Sequence, residues 1–193
     1  MYQQLHQSIA QFIDTTEEEK NFLERAFIYK KVPKKVRLVD YGQVSNELYF
    51  INKGIIRLFY PKDGEEITGY LFKENLFSSS YDSFLTQTPS LQILETLEDC
   101  ELLVITKDSL NQLYEQMPAM HIFTRKMAEQ RFINAQRILS SFILDSPEER
   151  YLKFETANKD LLQRVPQHYI ASFLGITPVS LSRIRKRLMD KED

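Results

Sequence analysis

Arg183, Arg185, Lys186 and Arg187 crowd into five consecutive positions of GITPVSLSRIRKRL, residues 175–188. Three guanidinium groups and one ammonium so close together suit phosphate binding, because each carries fixed positive charge and several hydrogen-bond donors. The surroundings sharpen the pattern. From Arg164 to Lys191 six residues are basic and only Asp190 is acidic. Residues 1–120 hold 12 basic against 18 acidic side chains, whereas residues 121–193 hold 13 against 9. A basic patch on a chain of net charge −2 is the footprint expected of a polyanion-binding unit joined to a non-binding one. The alternative is a solvated helix end, since Lys and Arg also favour the last turn of a helix.

Other chemistries find few residues to perform them. His6, His121 and His168 are the only histidines, and none lies in the β-rich region, so the convergent histidines of a metal-dependent jelly-roll enzyme are missing. Cys100 is the single cysteine, which excludes an intrachain disulfide framework and a four-cysteine cluster within one chain. No P-loop, Gly-x-Ser-x-Gly elbow or His-Glu-x-x-His pair occurs. The expectation is therefore a non-enzyme without metal or cofactor. No run of eighteen apolar residues is present, and MYQQLHQSIAQF lacks the basic-then-apolar layout of a secretory signal, so a cytoplasmic protein that does not enter membranes is expected.

The order of elements determines what could position the basic run. Residues 2–26 read as helical, with Leu5, Ile9, Phe12 and Ile13 on one face and Thr16 spaced from Glu19 as in a capping box. From Phe27 to Ile105 short β-rich runs alternate with glycines, and KDGEE places an Asp-Gly turn between two apolar runs. An antiparallel β roll of the jelly-roll type follows. TKDSLNQLYEQMP reads as a short helix, and a long one is expected over residues 119–144. Phe123, Met127, Phe132, Ala135, Leu139 and Phe142 mark its apolar surface, which is too wide for one neighbour to cover. Its own barrel and a second subunit are the expected covers, giving a two-fold homodimer; the alternative is a core helix covered by its own chain alone. Ser146 and Pro147 have the types that start another helix.

The basic run can now be placed. In PQHYIASFLGITPVSLSRIRKRL, Ile170, Ala171 and Leu174 give one helix a buried side and Gly175 ends it. Thr177 caps the next helix, Pro178 opens it, and Leu181, Ile184 and Leu188 dock it on the first. This is a helix-turn-helix layout, whose second helix enters the DNA major groove. Val179, Ser182, Arg183 and Lys186 then face outward, with Arg183 suited to read guanine or clamp a phosphate and Val179 to pack on a thymine methyl. Thr177, Ser180, Arg185 and Arg187 complete the expected DNA-contacting set, the last two through phosphates.

Taken in order, YGQVSNELYFINKGIIRLFY, the long helix, SPEERYLKF and VPQHYIASFLGITPVSLSRIRKRL resemble the Crp/Fnr family of transcription regulators over nearly the whole chain. The resemblance implies an α+β fold in three parts: a cyclic-nucleotide-binding-like β roll with flanking helices (1–118), a dimerisation helix (119–145) and a helix-turn-helix domain (146–193). Members that bind cyclic AMP carry Phe-x-Gly-Glu followed by Arg-Ser. Aligned on Phe77, this chain has Ser79 and Ser80 in place of Gly and Glu, and Ser90 and Leu91 in place of Arg and Ser. An unpaired buried phosphodiester charge costs several kcal/mol, so cyclic AMP is not the expected ligand. Phe77, Ser78, Ser79, Ser80, Tyr81, Ser90 and Leu91 stand as the candidate pocket for another small-molecule effector, with an empty barrel as the alternative. Only LMDKED follows Arg187, too short for the family's usual strand-turn-strand wing.

The functional expectation is a dimeric regulator of double-stranded DNA, with RNA polymerase a candidate partner. The rival is a ligand-sensing or protein-docking module whose terminal helices meet another protein. Apolar anchors on the outward helix face would favour the rival, and Arg183 with Lys186 favour DNA.

Overall fold

Thr16 and Glu19 close the capping box that their spacing predicts, with the Glu19 amide donating to Thr16 Oγ1 at 3.2 Å and the Thr16 amide donating to the Glu19 carboxylate at 2.8 Å. In this computed structural model, which describes residues 1–192, the box divides the N-terminal region into α1 (Gln3–Ala10) and α2 (Glu17–Ala26). Asp193, the last residue of the expected terminal domain, lies outside the described residues. Leu5, Ile9 and Ile13 are buried, but Phe12 is half-exposed and leaves the face assigned to it.

Eight strands follow: β1 (Ile28–Val32), β2 (Arg37–Val39), β3 (Glu47–Lys53), β4 (Ile56–Lys62), β5 (Glu65–Phe72), β6 (Phe77–Ser78), β7 (Ile93–Thr96) and β8 (Cys100–Thr106). They form two antiparallel four-stranded sheets in the orders β1-β8-β3-β6 and β2-β7-β4-β5. Asp63 and Gly64, at φ +53° and +82°, make the tight β4–β5 turn, the left-handed pair a two-residue hairpin demands. Side-chain alternation explains the continuous apolar run LYFI in β3. Tyr49 and Ile51 face the interior between the sheets, while Leu48 and Phe50 face a layer of helices on the outside. A sheet covered on both faces needs apolar residues on both.

That outer layer comprises α1, α2, α4 (Lys107–Gln116) and the start of α5 (Met120–Leu144). A short helix, α3 (Tyr81–Thr86), is inserted after β6. Phe123 and Met127 of α5 pack against the barrel's own helical layer, which corrects their assignment to the subunit-facing stripe. The reason is helical phase: Phe123 and Phe132 are nine residues apart, about 180° around a helix of 3.6 residues per turn. Phe132, Ile133, Leu139 and Ile143 lie on uncovered surface, Phe132 at 65% and Leu139 at 54% exposure.

Ser146 caps α6 (Pro147–Ala157) with a second capping box, and α7 (Lys159–Arg164), α8 (Gln167–Phe173) and α9 (Pro178–Glu192) complete the order. Their core, with Tyr151, Phe154, Leu161, Ile170, Leu181 and Ile184, also takes in Ile55, Leu71 and Leu97 from the barrel. Polar contacts reinforce the junction. Arg164 donates to Glu74 at 2.7 Å and to Glu98 at 2.6 Å, and Lys73 pairs with Asp160 at 2.9 Å. The Thr68 amide donates to Ser172 Oγ at 2.9 Å, and that hydroxyl donates to the Glu66 carbonyl at 3.1 Å. Arg57 is fully buried, with its guanidinium between the rings of Phe59 and Tyr169. It donates to Thr68 Oγ1 at 2.9 Å and to the Glu66 carboxylate at 2.6 Å.

Burial pushes the Glu74 carboxyl up, but the Arg164 bond and the Gly54 amide outweigh it and hold the group below its ordinary value. A carboxyl with a depressed folded pKa adds stability above its unfolded pKa and loses it as pH falls through the folded one. Chemical denaturation should show Arg164→Ala costing about 1–3 kcal/mol at neutral pH. Between about pH 5 and 3, Glu74→Gln should lose stability less steeply than the wild-type protein.

Candidate nucleic-acid interface and sensor cavity

The corner between α8 and α9 is built by Gly175, at φ +65°. Its amide donates to the Ser172 carbonyl at 3.1 Å and the Ile176 amide reaches the Ala171 carbonyl at 3.0 Å, the paired bonds of a Schellman ending. Space as well as φ calls for glycine here, because a Cβ would lie 2.6 Å from Phe142 Cε1. Thr177 Oγ1 then accepts from the Ser180 amide at 3.1 Å and starts α9. Fully buried Ala171 lets the helices approach, and Leu181 and Ile184 fill the seam between them.

Val179, Ser182, Arg183 and Lys186 are exposed on the far side of α9. Among the described residues, neither Arg183 nor Lys186 has an ion-pair or hydrogen-bond partner. Thr177 and Ser180 bond to each other at 3.0 Å, at the entry of the helix. Arg185 and Arg187 are placed differently from the other cations. Arg187 pairs with Glu148 at 3.0 Å, and half-buried Arg185 lies by the Tyr151 hydroxyl beneath the helix. Burial and a hydroxyl bond to Glu155 at 2.6 Å push Tyr151 up to about 12, so it remains a neutral post under α9. The free cations therefore lie on one narrow face, with the paired ones behind it.

Phe142, expected in the subunit stripe, is partly exposed but also abuts Gly175 and lies 5.1 Å beneath the Arg150 guanidinium. Arg150 donates to the Leu174 carbonyl at 2.9 Å and to the Asp145 carbonyl at 2.8 Å, tying the end of α5 to the corner. Ala135 lies on the exposed side of α5 beside Phe132 and Leu139.

The serine-rich segment is brought together, but largely satisfies itself. Ser80 and Ser90 share a hydrogen bond of 2.7 Å, Ser45 and Ser79 one of 3.0 Å, and Ser78 donates to the Tyr49 carbonyl at 3.4 Å. Ser90 also accepts from the Gln92 amide at 3.0 Å, and Gln92 reaches the Tyr60 hydroxyl at 2.6 Å. Two members of the expected pocket are corrected. Leu91 is 62% exposed, and the Phe77 ring joins Phe27, Phe50 and Phe123 in the helical layer. Both follow from chain direction: β6 is only two residues long, and its alternation turns Phe77 to the outer side of the sheet.

Sequence reasoning missed Arg131 on α5. Its guanidinium sits over the rings of Phe72 and Tyr81 at 4.8 and 5.3 Å, and burial holds its pKa below the ordinary arginine value. It also missed the junction of Arg57 with Tyr169, although an arginine inside the apolar run IIRLFY was a visible signal.

This fold and geometry define a β-roll sensor carrying a helix-turn-helix, and comparisons place the chain. Residues 29–117 match the family described as the cyclic nucleotide-binding domain. No curated protein sequence matches the chain. Among solved structures, FixK2 of Bradyrhizobium japonicum is similar at TM-score 0.74 and 14% identity, with 86% of each chain covered. The c-di-GMP responsive global regulator CLP of Xanthomonas campestris is similar at TM-score 0.73 and 17% identity, over 92% of this chain and 93% of that one. A transcriptional regulator assigned to the Crp/Fnr family from Eubacterium rectale is similar at TM-score 0.70 and 16% identity, over 92% and 85%. The chain has the fold of the Crp/Fnr regulators, as its sequence resemblance leads one to expect.

Gly175→Ala should destabilise the protein by about 1–3 kcal/mol in thermal or chemical unfolding, from the left-handed φ together with the displaced Phe142 ring. An unchanged midpoint would show that the corner tolerates a side chain.

Proposed function

We propose that the protein is a sequence-specific transcription regulator that binds a two-fold site on double-stranded DNA as a homodimer. The observation that carries this reading is the outward face of α9, where Arg183 and Lys186 are exposed and unpaired while the opposite face is locked into a core. Unpaired cations on a rigid helix suit phosphate and guanine, and a helix held by its corner keeps them in register with the groove. Arg185 and Arg187 would act behind this face, Arg187 after exchanging Glu148 for a phosphate.

The exposed stripe of Phe132, Ala135, Leu139 and Ile143 supports the homodimer, since apolar surface of that extent on one helix favours a second copy. No helix among the described residues is long and apolar enough to cross a membrane, and no group of three or more metal-ligating side chains gathers among them. Action in the cytoplasm without metal or catalysis fits these observations. RNA polymerase is a candidate partner in transcription. The effector is read as something other than cyclic AMP, because Ser79, Ser80, Ser90 and exposed Leu91 supply neither a carboxylate nor a cation.

Selection from random duplex DNA at near-physiological salt should enrich a palindrome with half-site centres roughly 34 Å apart. Arg183→Ala should then weaken the best site by about 1–3 kcal/mol and relax the preference at one base pair. Failure to enrich any sequence, with capture of α9 by a protein partner, would favour the docking reading. In sedimentation equilibrium Leu139→Glu should shift the dimer toward monomer, and an unshifted distribution would place the subunit contact elsewhere.

A further inference from the structure

Arg131 presents a physical problem that the regulator reading does not resolve. A guanidinium has five N–H donors, yet only two carbonyls accept here: Phe77 at 3.4 Å and Ser79 at 3.5 Å, both at the outer limit of a hydrogen bond. No carboxylate pairs with it among the described residues. The Phe72 and Tyr81 rings offer cation–π attraction, and burial holds the Tyr81 hydroxyl above its ordinary pKa, so that group stays neutral. A charge withdrawn from water without a counter-charge costs several kcal/mol.

Arg131 also lines a cavity of about 230 Å³ between α1, β5 and α5. Phe12 of α1, Tyr70 and Phe72 of β5, and Phe123 and Met127 of α5 make its walls mainly apolar and aromatic. Pockets for drug-sized molecules run from roughly 300 to 1,000 Å³, so this one suits something smaller. We propose that this cavity binds a small organic anion with an aromatic or apolar body, its carboxylate or phosphate paired to Arg131. The anion supplies the missing charge and acceptors, and its body fills the aromatic walls. The anchoring cation comes from the long helix, next in sequence to Phe132 on the exposed stripe. Occupancy therefore acts directly on the helix proposed to join the subunits.

The site can be tested without DNA, so its failure and that of the DNA-binding reading are separable. The full-length protein is titrated with benzoate, phenyl phosphate and the neutral analogue benzamide, by calorimetry and by thermal unfolding. Wild type should bind at least one of the two anions about tenfold or more tightly than benzamide, with a raised melting temperature. Arg131→Met should abolish that preference while melting no lower than wild type, because it removes an uncompensated charge. Arg131→Lys, which keeps the charge, should retain part of the preference and gives the same reading should the Met variant fail to fold. Anions bound no better than benzamide by wild type, or an undiminished preference in Arg131→Met, would overturn the proposal.

Discussion

The junction between the barrel and the terminal helices is the constraint on which the rest of the molecule depends, and Arg57 is its centre. Its side chain leaves β4, passes through an apolar interior and ends between one ring from the barrel and one from α8. A guanidinium survives there because Thr68 and Glu66 satisfy its donors and two aromatic faces accept its charge. Around it, Ile55, Leu71 and Leu97 share a core with the helices that support α9. The DNA-facing helix is thus positioned against the sensor by buried packing rather than hung from a flexible linker.

What could be read from the sequence was what neighbouring residues decide among themselves. Capping boxes at Thr16 and Ser146, the Asp63-Gly64 turn and the Gly175 corner each involve groups a few residues apart, and their chemistry determines their geometry. The outward face of α9 followed from helical period alone, because Leu181 and Ile184 fix which side is docked. The β roll was legible as a class, but its sheet order was not, since β8 pairs with both β1 and β3 across long stretches of chain.

The remainder lay in long-range contacts. Thr68 meets Ser172 across 104 residues and Arg164 meets Glu74 across 90, separations that no local pattern encodes. The wide apolar surface of α5 indicated two covers, but sequence spacing did not say where one gives way to the other, so Phe123 and Met127 were grouped with residues on the opposite side. In the sensor segment, composition pointed to hydroxyls facing a ligand, whereas tertiary folding turned those hydroxyls to one another and left the cation on a different element.

The contact of Phe142 with Gly175 makes the last turn of α5 and the corner of the helix-turn-helix a single mechanical piece. A flexible hinge at this point would dissipate any rotation of the long helix. Here an aromatic ring occupies the space a side chain would need, and Arg150 ties the same turn to the Leu174 and Asp145 carbonyls. Axial rotation of α5 is therefore geared to a swing of α9. The molecule can alter the separation of its two reading heads by turning one pair of helices, with no segment having to unfold.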